Sequence, residues 1–211
     1  MVLIKTRIFI KTEPSLVSML SNIDLHFPTC IYTRPGVNKN ELEFYKQEIK
    51  KLHRTKALYR DNVDQIYIGH DVMDIHLHPS FKSLTAQILI HTHEFASYLG
   101  YNDECCQGLE MIHMWFNISH KGSSLSKHIH PHSLFSGVYY IKAAPGDKII
   151  FHEKDDMTFP PQKPNEFSKD TVSYDCESGK LFLFKSDLNH STPLQKNEEK
   201  IALAFKISPK M

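Results

Sequence analysis

Apolar and polar residues follow one rhythm before about residue 105 and another after it. From Asn40 to His53 the apolar positions Leu42, Tyr45, Ile49 and Leu52 fall at helical spacing. Asn38 stands where an N-cap would, with Glu41 three residues later as its box partner. A second helix is marked by Pro79 at its start, Gly100 at its end and a stripe of Phe81, Leu84, Ile88, Phe95 and Leu99. Ile4 to Ile10 and Cys30 to Tyr32 are weakly β-like.

After residue 105 the period is two. Glu110 to Ile118 alternates, with Ile112, Met114, Phe116 and Ile118 on one face and His113, Trp115 and Asn117 on the other. Short β-rich runs recur at 135–141, 148–152, 180–185 and 200–208 between turn-forming stretches. That spacing predicts an antiparallel sandwich or barrel, not a parallel α/β sheet. One long stretch, roughly Glu153 to Ser178, carries Pro160, Pro161 and Pro164 and reads as an irregular functional lid or an insertion.

At 211 residues the chain is expected to form a single domain. Residues 1–105 supply flanking strands and helices, and residues 106–211 a β-rich core. A chain of this size buries roughly 70% of its unfolded surface, so folding needs neither disulfides nor a metal. The 25 basic and 24 acidic residues leave a formal charge of +1, which disfavours a nucleic-acid or anionic-membrane partner. The basic run from Lys46 to Lys56 reads as the solvated face of a helix. Four cysteines (Cys30, Cys105, Cys106, Cys176) lack zinc-ribbon spacing and are expected to be reduced thiols. Charges at Lys5, Arg7 and Lys11 interrupt the apolar start, and no apolar run approaches the roughly 18 residues of a span. A soluble, cytoplasmic protein is the expectation. Arginine occurs only at positions 7, 34, 54 and 60, so lysine supplies every fixed positive charge thereafter.

Fourteen histidines offer several metal-like pairs. His91 and His93 lie within the second helix, where i and i+2 diverge. His76 and His78 precede that helix without an obvious third partner and are expected to be structural. His128 and His130 differ: residues i and i+2 of an extended strand share a face, and His190 can close the set. His132 could replace His128 in a pair with His130. Three neutral imidazoles suit Zn, Fe, Ni or Cu alike. Because they must be neutral to bind, metal affinity should fall below about pH 6.5; a flat profile from pH 7.5 to 5.5 would count against these ligands. Behind His190, residues 200–207 alternate: Ile201, Leu203, Phe205 and Ile207 form a packed face. Lys200, Ala202, Ala204 and Lys206 form the other, with room for an anion beside a metal.

Two blocks of residues carry a family resemblance. Trp115-x-Asn117, His128-x-His130-Pro131 and Ser136-Gly137-Val138-Tyr139-Tyr140 form the first. Gly179-x-Leu181-x-Leu183-Phe184-x-Ser186, His190-Ser191 and Lys200-Ile201 through Phe205-Lys206-Ile207 form the second. With Phe27-Pro28-Thr29 upstream, the chain resembles Fe(II)/2-oxoglutarate oxygenases related to the prolyl hydroxylases over about residues 27–208. The resemblance implies a mainly β fold with flanking α-helices and a double-stranded β-helix (jelly-roll) core. It implies iron on His128, His130 and His190, although His130 occupies the position where many such enzymes place an acid. A vacant second-ligand position would admit halide and turn the outcome toward halogenation. The family's arginine for the far carboxylate of 2-oxoglutarate is Lys200 here, a compact charge without the bidentate fork. Tyr140 matches a tyrosine that helps hold the same carboxylate; Trp115, Asn117 and Ser191 are further candidate pocket residues. Lys206 stands where the family often has Asn.

The expected activity is that of a non-haem Fe(II)- and 2-oxoglutarate-dependent dioxygenase using O2. It would hydroxylate a protein side chain or small metabolite with release of succinate and CO2. Two other classes remain at this level: a cupin-like three-histidine dioxygenase that does not use 2-oxoglutarate, and a catalytically silent jelly-roll binding module. The oligomeric state is not readable.

Overall fold

The two hydrophobic rhythms become helices on one side of a sheet and a second sheet on the other. A computed structural model describes residues 28–35, 39–56, 66–68, 74–153, 162–164 and 168–210, with backbone alone at 39, 55–56 and 66–68. The chain divides into residues 1–30 and residues 31–211, and every helix and strand named here belongs to the second unit. The expected strand at 4–10, Phe27 of the Phe-Pro-Thr run and the Asn38 cap lie outside the described residues.

Helix α1 spans Lys39–Lys56 and α2 spans Lys82–Tyr98, the latter entered through a 3-10 turn at Pro79–Phe81. Both follow the periodicity of the sequence. A short α3, Asp103–Gln107, is capped by the Asn102 side chain, which accepts from Cys105 N at 2.8 Å. The described residues form ten strands, in chain order β1 (Ile31–Arg34), β2 (Ile66–Ile68), β3 (Leu109–His120), β4 (Leu125–His128), β5 (Phe135–Lys142), β6 (Lys148–His152), β7 (Thr171–Asp175), β8 (Leu181–Lys185), β9 (His190–Thr192) and β10 (Glu199–Pro209). They form a six-stranded sheet, β1-β8-β5-β10-β3-β2, and a four-stranded sheet, β4-β9-β6-β7. Every strand pairing is antiparallel. From β3 to β10 the chain passes repeatedly between the sheets, which is the jelly-roll course of a double-stranded β-helix.

Two expectations change in detail. Ile112 is not on the packed face of β3: the register to β10 steps from Lys206↔His113 to Ile207↔Met111. Ile112 is therefore the extra residue of a bulge, and buried Met111 takes its place. The stretch 153–178 is not wholly irregular, because Thr171–Asp175 pairs with β6 as an edge strand. Its alternation, Val172 and Tyr174 inward against polar neighbours, is too short to stand out among the prolines.

The large sheet has two unlike faces. Toward the helices it presents Phe116, Phe135, Leu203 and Phe205, all fully buried; Phe95 of α2 meets Phe135 with ring centroids 5.5 Å apart. Toward the small sheet, Phe182, Phe184, Phe151 and Ile149 fill one end of the sandwich. Close packing around β5 accounts for Gly137. A Cβ on it would lie 2.3 Å from the Phe205 ring and 2.5 Å from Phe182 O, so only glycine allows β5 to sit between β8 and β10. The other end of the sandwich is left open.

Candidate active site

That open end is a cavity of about 620 Å³ between the two sheets. His128, His130 and His190 converge on it, each offering one nitrogen, with these atoms within 4.8 Å of one another. His128 ends β4 and lies directly across from His190, the first residue of β9. Their ring centroids are 4.3 Å apart, and His130 lies 4.8 Å from His190 and 5.4 Å from His128. His130 is not within the strand: β4 stops at His128, and His130 belongs to the loop after it. Likewise His190 opens a short strand after a turn rather than closing β8.

Local hydrogen bonds fix two of the rings. His128 Nδ1 donates to Ser126 O at 2.8 Å and His190 Nδ1 to Leu188 O at 3.1 Å. A carbonyl can only accept, so the proton of each neutral ring sits on Nδ1 and the Nε2 lone pair remains for a ligand. Burial pushes the His190 imidazole down to about 4, aided by the neighbouring His128. The ring is therefore neutral at ordinary pH, as a metal ligand must be.

The loop carrying His130 is held by a chain of hydroxyls. His130 N donates to Ser186 O at 3.0 Å. Ser133 Oγ reaches His130 O at 3.2 Å and Ser186 Oγ at 2.8 Å, and Ser136 Oγ lies 2.7 Å from Ser186 Oγ. Ser136 and Ser186 are buried. The Trp115 ring meets His130 edge-on, centroids 5.2 Å apart, and Lys206 Nζ donates to Pro131 O at 3.0 Å. Nothing in the sequence assigns a role to Ser133, Ser136 or Ser186. Their meeting depends on the β5–β8 register, and only their places in or beside the two motif blocks could have pointed to them.

Deeper in the cavity lies a lysine with no counter-charge bonded to it. Lys200 is 4% exposed and lines the cavity with Tyr140, which is 1% exposed. Among the described residues its ammonium makes no hydrogen bond or ion pair. Its sequence neighbour Glu199 is drawn away to Lys142 (3.0 Å) and Lys50 (3.3 Å). Asp147, whose charge reaches Lys200, is already bonded to Ala144 N at 2.8 Å and Asn197 Nδ2 at 2.9 Å. Burial lowers the Lys200 ammonium from its ordinary value. The same burial, with the Cys176 thiol beside it, pushes the Tyr140 phenol well up. Tyr140 thus stays protonated, and the two buried side chains line the cavity together. Ala202 and Ala204 on the same face keep the volume between this pair and the histidines free.

Of the other candidates, Trp115 and Asn117 line the cavity. Ser191 does not. Next to His190 in β9 it points to the opposite face, where its hydroxyl meets His152 Nε2 at 2.8 Å. His132 sits outside the cluster, at a left-handed φ of 63°. His91 faces Tyr32 (3.1 Å) on the outer surface, and His78 caps the turn before α2 by accepting from Ser80 N.

Comparison with known proteins agrees with this geometry. Residues 113–206 match the family described as "Putative 2OG-Fe(II) oxygenase". No curated protein matches the sequence. Solved structures share the fold. HygX of Streptomyces hygroscopicus, crystallised with nickel, 2-oxoglutarate and hygromycin B, superposes with a TM-score of 0.58 at 16% identity, covering 86% of this chain and 83% of its own. A prolyl-4-hydroxylase of Pseudomonas putida gives 0.54 at 14% identity, with 87% and 89% covered. SnoN, a non-haem α-ketoglutarate-dependent epimerase of nogalamycin biosynthesis, gives 0.61 at 12%, with 86% and 77% covered. Among the described residues no helix is long and apolar enough to cross a membrane. Residues 113–206, the part that resembles the 2OG-Fe(II) oxygenase family, carry all three histidines and strands of both sheets that hold them.

Proposed function

We propose that the cavity binds Fe(II) on His128, His130 and His190 and 2-oxoglutarate between that metal and Lys200, and that the protein hydroxylates a C–H bond of a second substrate. The observation that carries this reading is the pairing, in one cavity, of three converging imidazoles with a buried lysine that has no partner of its own among the described residues.

The residues fit the groups. Two rings present Nε2 by virtue of their Nδ1 hydrogen bonds, and imidazole suits iron. The three ring nitrogens, within 4.8 Å of one another, would hold the ion together. Fe(II) bound there would supply the oxidative chemistry by which 2-oxoglutarate and O2 give succinate and CO2, with the second oxygen atom of O2 going to the hydroxyl of the product.

The chain's own residues bind and orient. Lys200 and the Tyr140 hydroxyl hold the far carboxylate, and their burial makes each contact worth more than it would be in water. Three neutral imidazoles leave the metal its full double charge, which dianionic 2-oxoglutarate offsets. Asn117, with its buried Oδ1 lacking a hydrogen-bond partner, has acceptor capacity to offer. Trp115 and the serine chain keep His130 in place. A protein side chain and a small metabolite both remain within this reading as substrate. A three-histidine dioxygenase without 2-oxoglutarate leaves Lys200 unexplained, and a silent module leaves the whole cavity unexplained.

The test is succinate formation from 2-oxoglutarate with Fe(II) and O2 by the purified protein. It should occur slowly without a second substrate and drop to background in His128→Ala and His190→Ala. Turnover that persists in both variants would refute the assignment.

A further inference from the structure

Lys200 accounts for one lysine of the cavity and leaves Lys206 over. The two stand six residues apart on the same face of β10, roughly 20 Å along the strand at ~3.3 Å per residue. One five-carbon dicarboxylate cannot engage both. Lys206 lies at the metal end: its Nζ is 3.0 Å from the carbonyl of Pro131, the residue after His130. That bond uses one of three ammonium protons, and the side chain lines the cavity.

The surrounding charge is one-sided. Among the described residues that line the cavity there is no aspartate and no glutamate, although the chain has 24 acidic residues. What faces the space is the two lysines, the three histidines, neutral polar groups such as Asn117, Ser119 and Thr192, and apolar walls. A divalent metal and dianionic 2-oxoglutarate cancel one another, so both lysine charges are left in the loaded site. A cavity partly walled by apolar groups screens them less than water does.

Resting on the oxygenase reading, we propose that the primary substrate is an anion that presents a carboxylate to Lys206 beside the metal. Two sources share that chemistry: a free carboxylic acid, and an aspartyl or glutamyl side chain of a peptide. A cationic substrate meets the same charges as repulsion.

The experiment uses the full chain loaded with Mn(II) and saturating 2-oxoglutarate. Probes are added singly: L-aspartate and L-glutamate as free acids, blocked peptides containing Asp or Glu, and the matching Lys- and Arg-containing peptides. Binding is read by calorimetry, and approach to the metal by the broadening that Mn(II) imposes on the probe's proton resonances. Carboxylate probes should bind and broaden, at least about tenfold more tightly than the cationic ones, and Lys206→Met should remove about tenfold to a hundredfold of that affinity. Lys206→Arg should keep most of it, and each variant is compared at Mn(II) and 2-oxoglutarate concentrations that saturate it. Tighter binding of free acids identifies a metabolite source, and tighter binding of acidic peptides a protein source. Equal, reversed or absent carboxylate binding overturns the proposal. So does a Lys206→Met variant that loses metal instead, which would make Lys206 a strut of the His130 loop. Failure of the Mn(II) protein to bind 2-oxoglutarate at all would instead sink the oxygenase reading, and this proposal with it.

Discussion

The two faces of β10 come from one run of alternating residues and serve opposite ends. On the helix side Ile201, Leu203, Phe205 and Ile207 are fully buried; on the cavity side Lys200, Ala202, Ala204 and Lys206 leave volume open and place charge beside it. One face is stabilised by filling space, the other made useful by leaving it empty. A buried lysine without a partner is a cost to folding, so it reads as function where Leu203 reads as structure. Damage to the two faces should therefore separate cleanly into activity and stability.

The largest separation is expected at His190. His190→Ala should abolish one-to-one metal binding and reduce turnover to background, while the thermal transition of the metal-free protein stays cooperative. A parallel collapse of folding would show that the triad is part of the core. On the other face, Phe205→Ala should cost about 3–5 kcal/mol in denaturant unfolding and leave metal stoichiometry per folded molecule at one. Gly137→Ala should cost about 1–3 kcal/mol by overpacking, since the Phe182 carbonyl it would strike is fixed backbone.

The pH dependence has a definite sign. His190 is held neutral in the fold to about 4, whereas in the unfolded chain it titrates near 6.5. Between those values the unfolded state binds the extra proton, so stability falls as pH falls. Unfolding of the metal-free protein should lose on the order of 3 kcal/mol from pH 6.5 to pH 4 through this residue, and His190→Ala should flatten that slope. His53 and His76, also lowered by burial, add in the same direction. Ser186→Ala should weaken metal binding about tenfold to a hundredfold through the loosened His130 loop, with threonine a partial rescue. The smallest effect is a gain: Lys200→Met should raise the stability of the metal-free protein by roughly 1–2 kcal/mol, because it removes a charge that burial opposes.

Legibility in the sequence divides along the same line between local pattern and tertiary placement. Long periodic segments announced α1, α2, β3, β5, β8 and β10, since each carries enough apolar residues to show its period. The strands β2, β4 and β9 are three or four residues long and exist by pairing, so no local pattern marks them. The three converging histidines were visible as a His-x-His pair and a distal histidine because motif spacing survives without knowledge of register. Ser191 was misplaced because a neighbour in sequence points to the other face of a strand. The meeting of Ser133, Ser136 and Ser186 required tertiary register, and the isolation of Lys200 required seeing that Glu199 turns to α1 and β5.

Lys200 and the three histidines are held to serve one pair of ligands, the metal and its dicarboxylate. The most direct test is calorimetric titration of 2-oxoglutarate into the Mn(II)-loaded protein and into Lys200→Met. Binding at one equivalent that needs the metal, and that weakens about tenfold to a hundredfold in the variant, is the predicted result. Affinity that is independent of metal, or unchanged by the loss of Lys200, would contradict it.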